Sequence, residues 1–132
     1  MQFNDNALGS VAKPARYTGG EWNMVHKDPV AVDVRFALVL PDVYDVGMSN
    51  LGLKILYGIL NERADTYAER AYCPWPDMEA VMRSGGDLLC SLETHTPLRQ
   101  FDAVGISLQY EMTYTNILTM LDLGGIPLLA AD

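Results

Sequence analysis

Residues 34–40 read VRFALVL, and Pro41-Asp42 closes the run. A nearly continuous apolar stretch of strand length, stopped by proline, suits a strand buried on both faces of a parallel sheet. Downstream, Ser49 is placed to cap a helix whose Leu51, Ile55, Leu56, Ile59 and Leu60 form one apolar stripe, ending near Arg63. Gly58 inside that helix is mildly unfavourable and is read as a point of close helix–sheet packing. Residues 66–72 (TYAERAY) read as a second strand, half-exposed on account of its charges.

Pro76 then stands at a first helical position, with Asp77 and Glu79 in the first turn and Arg83 in the last. Gly85-Gly86 stop that helix. Residues 88–92 (LLCSL) suggest a short strand at a sheet edge, and 97–101 a single helical turn. Residues 103–108 (AVGISL) form an apolar strand. Tyr114, Ile117, Leu118 and Leu121 recur at helical spacing and predict a helix over 113–123, ended by Gly124-Gly125. Residues 126–130 (IPLLA) look like the start of another strand.

Strands alternating with helices call for an α/β fold: a three-layer, Rossmann-like, mostly parallel sheet with helices on both faces. The expected division is an arm or short hairpin over 1–32, packed through Tyr17 and Trp22, and a partial Rossmann-like domain over 33–132. A chain stopping where a strand begins suggests C-terminal truncation within a larger protein. The sheet edge so exposed would invite self-association.

The formal charge is −8, from 17 acids and 9 scattered bases. Nucleic acid and anionic membranes are disfavoured as partners, since both need clustered Lys and Arg. No apolar run reaches membrane-spanning length, and the opening MQFNDNALGS is no secretory signal. The two cysteines, Cys73 and Cys90, read as reduced thiols in a cytoplasmic protein. His26 and His95 each stand alone, so no metal site is expected. The methionines read as core filler. No Walker loop, G-x-G-x-x-G or G-x-S-x-G occurs.

In open parallel sheets, ligands bind beyond the carboxyl ends of the strands. Three segments should meet there: 41–50 (PDVYDVGMSN), 73–75 (CPW) and 109–116 (QYEMTYTN). Their Tyr44, Trp75, Tyr110 and Tyr114, with Asn50, Gln109 and Glu111, suit a large flat organic ligand or a protein surface. The same aromatics equally suit plain cover for the end of the sheet. Gly47, Ser49 and Asn50 open a helix whose backbone N–H groups offer a weak anion signal.

The strings KPARYTGGEWN, PDVYDVGMSNLGLKILYGILNER, YCPWPDMEAVMR and SLETHTPLRQFDAVGISLQYEMTYTNILTMLDLGGIPLLAAD resemble the N-terminal region of B12-binding-associated radical-SAM proteins. The resemblance runs from Lys13 onward. It implies a flavodoxin-like or cobalamin-binding-like domain ahead of a radical-SAM barrel in the same polypeptide, not catalytic alone, within a parent enzyme of unknown substrate. The sheet-end position and the resemblance together give an expected cofactor-binding set of Asp42, Tyr44, Gly47, Ser49, Asn50, Trp75, Gln109, Tyr110 and Glu111, with no catalytic and no metal residues.

Cobalamin domains that supply a histidine to cobalt carry D-x-H-x-x-G after the first strand. Here the place reads Asp42-Val43-Tyr44-Asp45-Val46-Gly47. A phenol is a poor ligand at neutral pH, so any cobalamin in the full-length protein is expected without a protein ligand. Radical-SAM enzymes carry C-x-x-x-C-x-x-C for a [4Fe–4S] cluster, whereas Cys73 and Cys90 lie 17 positions apart. The cluster and S-adenosylmethionine therefore belong to the remainder, and no cofactor is expected here. The alternative is a degenerate interaction or structural domain that positions the barrel. An independent flavodoxin-like enzyme is disfavoured, because 41–47 is not a Ser/Thr/Gly phosphate loop.

Overall fold

The computed structural model describes residues 5–130. The chain runs α1 (Asp5–Gly9), β1 (Val34–Leu40), α2 (Tyr44–Gly47), α3 (Leu51–Glu62), β2 (Thr66–Tyr72), α4 (Pro76–Gly85), β3 (Ala103–Ile106) and α5 (Tyr114–Leu123). Single 3-10 turns lie at Pro14–Arg16, Leu98–Gln100 and Glu111–Thr113. β1 sits between its neighbours in a parallel sheet of order β2-β1-β3. Leu38 of β1 pairs with Arg70 on one side and Gly105 on the other.

The two-residue side-chain period of β1 divides the core into two. Ala37 and Val39 face Met78 and Met82 of α4 and Met120 and Leu123 of α5. Leu38 and Leu40 face Leu53 and Tyr57 of α3. Helices therefore cover both faces of the sheet, which is why β1 carries no polar residue after Arg35. Each fully buried Leu or Met contributes roughly 1.5–3 kcal/mol relative to exposure. On the α3 face, Gly105 makes room for the Phe36 ring, which a Cβ there would meet at 2.7 Å.

α4 keeps its expected limits. Pro76 opens it, and Gly86 closes it in the left-handed conformation at φ 72°. α3 also keeps its limits, but Asn50, not Ser49, caps it by accepting a 2.8 Å hydrogen bond from the Leu53 N–H. Its orientation differs from expectation. Leu53 and Tyr57 are buried, while Leu51, Ile55, Leu56 and Ile59 are exposed. Gly58 is exposed too, with no atom within 4 Å of where a Cβ would lie, so it marks no close packing. In α5 the buried residues are Met120 and Leu123, while Tyr114 and Leu118 of the expected stripe are exposed.

The charges of β2 are a further correction, because all of its residues are buried. Residues 88–92 form no strand. They run beside β2, where the Leu92 N–H donates to the Arg70 carbonyl at 2.7 Å. The Glu93 carboxylate accepts the Arg70 N–H at 2.7 Å, standing in for a strand carbonyl. The edge of β2 is covered by a side-chain clamp in place of a further strand.

Residues 126–130 form no strand either. The expected hairpin is absent among the described residues of the arm, and Trp22 is fully exposed. Tyr17 does pack against the α4 side of the core. The arm acts as a strap. The Ala12 N–H donates to Asp77, the Val25 N–H to the Tyr57 hydroxyl, and Lys27 to the Arg63 and Thr66 carbonyls.

No helix of the described residues is long and apolar enough to cross a membrane.

Candidate functional site

Three loops leave the carboxyl ends of the strands, and hydrogen bonds hold them together. The Asp42 carbonyl accepts from the Cys73 N–H at 2.9 Å, joining the loop after β1 to the loop after β2. Asn116 donates to the Pro41 carbonyl at 2.9 Å, and the Tyr110 hydroxyl reaches the Asp42 carboxylate at 3.4 Å. The rim expected from sequence therefore exists, with Asp42 at its centre.

The other rim residues divide by direction. Trp75, Tyr110 and Tyr114 are about half exposed. Trp75 is steadied from the arm: its backbone N–H donates to the Tyr17 hydroxyl at 3.1 Å, and the Arg16 guanidinium lies 5.1 Å from its ring. Gln109 and Glu111 are exposed at the start of the 109–116 segment. Ser49 donates to the Val46 carbonyl, and Asn50 is engaged as the α3 cap. Gly47 is structural. A Cβ there would lie 2.5 Å from the Tyr72 ring and 2.7 Å from Leu40.

Tyr44 turns from the rim toward the arm. Its ring stands edge-on to Tyr72 at 5.4 Å, and its hydroxyl donates to Glu21. Burial and the Glu21 carboxylate push the phenol up to about 12. At neutral pH Tyr44 is a committed donor, not a ligand.

Sequence reasoning missed the polar network beneath this rim. On one face of β2, Glu69 accepts from Arg35, Ser91 and Thr94. On the other, Arg70 donates to Glu93 at 2.7 Å and to Glu21 at 2.8 Å, and lies 4.7 Å over the Tyr57 ring. Glu69 is 0% exposed and Arg70 6%. The available signal was the Glu-Arg pair inside a strand followed, about 23 residues later, by Ser-Leu-Glu-Thr. Buried charges require partners.

Cys73 and Cys90 are both free thiols and line one cavity of about 30 Å³ with His95. That volume suits a water, not an organic ligand. Burial pushes the Cys73 thiol up to about 12, so it is no nucleophile at neutral pH. Among the described residues no group of three or more His, Cys, Asp or Glu side chains is placed to hold a metal ion.

A family model described as radical SAM proteins, N-terminal, matches residues 52–132, more than half of the chain. The match takes in α3 from Gly52 on, β2 with Ser91, Glu93 and Thr94, and the 109–116 segment, and begins after the 41–50 loop. No curated protein and no solved structure matches the chain.

Proposed function

The chain belongs to the family of radical SAM N-terminal regions, and on that premise we propose that it is a non-catalytic domain that positions the radical-SAM barrel of its parent polypeptide. The outward face of α3 supports this reading. Leu51, Ile55, Leu56 and Ile59 are all exposed on one helix, the last three inside the matched region. Clustered exposed apolar residues of this kind mark interaction surfaces. The [4Fe–4S] cluster and S-adenosylmethionine chemistry fall to the barrel, since this chain has only Cys73 and Cys90. Two free thiols support a reducing compartment, the cytoplasm.

The double substitution Ile55→Glu/Ile59→Glu in the parent protein tests the proposal. Both side chains are exposed, so the melting curve of this domain is expected to stay unchanged. Limited proteolysis between domain and barrel is expected to accelerate. Equal cleavage rates would argue against docking through α3.

A second reading is that the rim holds a corrinoid. The bonded loops and the half-exposed Trp75, Tyr110 and Tyr114 favour it. Their rings would lie against a flat macrocycle, and the Gln109 amide, next to Tyr110 in sequence, would orient its periphery. They do not fit cobalt ligated by this loop, because the Tyr44 hydroxyl is bound to Glu21. A corrinoid would supply its cobalt chemistry to the barrel's substrate. Gel filtration of the parent protein after mixing with hydroxocobalamin separates the readings. A corrinoid absorption band that co-elutes with the protein carries the second reading, and a protein peak without that band leaves the first.

A further inference from the structure

The two outer strands of the sheet, β2 and β3, differ at their edges. The edge of β2 is closed by Leu92 and the Glu93 carboxylate, and all of β2 is buried. Along the outer edge of β3 no described residue pairs. The Ser107 N–H donates inward to the Val39 carbonyl at 2.9 Å, so strand alternation turns the N–H and C=O groups of Val104 and Ile106 outward. Ala103–Ile106 reads AVGI, each residue half-buried, with none of the proline or charge that protects a free edge. The face beside it is short of cover as well. α3 rests on β2 and β1, and Phe36 and Gly105 on that face stay half-buried, whereas parallel sheets are normally covered on both faces.

The path of the chain shows what belongs at this edge. α4 carries it from β2 past β1 to β3, and α4 and α5 lie on the same face of the sheet. A second crossover of the same hand on that face continues in the same direction, to the far side of β3. The local route agrees. Gly125 at φ 70° and the bond from the Ile126 N–H to the Leu121 carbonyl turn the chain at the end of α5. Gly125, Ile126 and Pro127 then line a groove of about 360 Å³ with Asp102, Ala103 and Val104, at the start of β3. A strand entering from this end runs parallel to β3.

We propose that the outer edge of β3 is a strand-addition site filled from within the parent polypeptide, by a strand that follows α5 and runs parallel to β3. The added strand exchanges backbone hydrogen bonds with Val104 and Ile106. Neither the family match nor docking through α3 assigns this edge a purpose, and the proposal does not depend on that docking.

Hydrogen exchange at the Val104 and Ile106 amides tests it, in this chain and in the parent protein. In dilute solutions of this chain both are expected to exchange freely. In the parent both are expected to slow at least about 100-fold. The parent carrying Ile55→Glu/Ile59→Glu is expected to keep that protection, so a failure of docking and a failure of strand addition read separately. Equal exchange in the two proteins would overturn the proposal, as would protection in this chain that grows with concentration, the mark of a second copy at the edge. A crystal structure of the parent reads the direction. A strand parallel to β3 and later in sequence than α5 is expected, and an antiparallel strand, or one drawn from the arm, overturns the proposal.

Discussion

Glu69 and Arg70 are neighbours on β2, point to opposite faces, and meet separate sets of partners. Removing one partner of a buried pair strands the other charge, which costs about 3–5 kcal/mol. Glu93→Ala is therefore expected to lower the urea unfolding free energy by about that amount, since it also frees the Arg70 N–H at the edge of β2. A loss below about 1 kcal/mol would mean that the clamp is not what covers that edge.

Burial also pushes Cys73 and the phenols of Tyr44, Tyr67 and Tyr72 up to about 12. The ordinary values are 9.0 for the thiol and 10.0 for the phenols. Between these values and about 12 the folded chain holds more protons than the unfolded one. The stability these groups give is whole below about pH 9 and is lost as pH rises toward about 12. A urea midpoint clearly lower at about pH 11 than at about pH 8 is expected, and equal midpoints would contradict these burials.

The charged pair in TYAERAY was visible in the sequence, yet its burial was not. The partners lie about 23 residues further on, in a segment whose local pattern reads as an edge strand. Tyr44 was legible as a rim residue. Its turn toward Glu21 was not, because the arm carries no periodic signal to place it.

At the scale of the element, two glycines make opposite expectations. Gly47→Ala would press a methyl into the Tyr72 ring and is expected to destabilise by about 1–3 kcal/mol. Gly58→Ala meets nothing within 4 Å on an exposed helix face and is expected to stabilise by up to ~1 kcal/mol. Thermal melts of the two variants check both signs, and a stabilised Gly47→Ala would sink the packing described for α2.

The limits of β1, β2 and α4 were legible because Pro41, Pro76 and Gly86 punctuate them. The face of α3 was not. Leu51, Leu53, Ile55, Leu56, Tyr57, Ile59 and Leu60 surround that helix almost completely, so periodicity alone selects no single buried side. Tyr57 decides the orientation, because its hydroxyl ties α3 to Val25 of the arm. Residues 88–92 and 126–130 have strand composition without strand pairing. Pairing is a tertiary event that composition does not fix.

For the molecule as a whole, the parallel sheet gathers the 41–50, 73–75 and 109–116 segments at one rim, as the alternation of strands and helices predicted. The second concentration of features, the outward apolar face of α3, was hidden by the wrong choice of buried side. On this account the domain presents a surface to its barrel and leaves the radical chemistry to it. Isothermal titration of this chain against the separately prepared barrel of the parent protein tests that most directly. Binding at about micromolar affinity, weakened at least about tenfold by Ile55→Glu/Ile59→Glu, is the result the account expects. An affinity that the double substitution leaves unchanged, or no heat of binding at all, would contradict it.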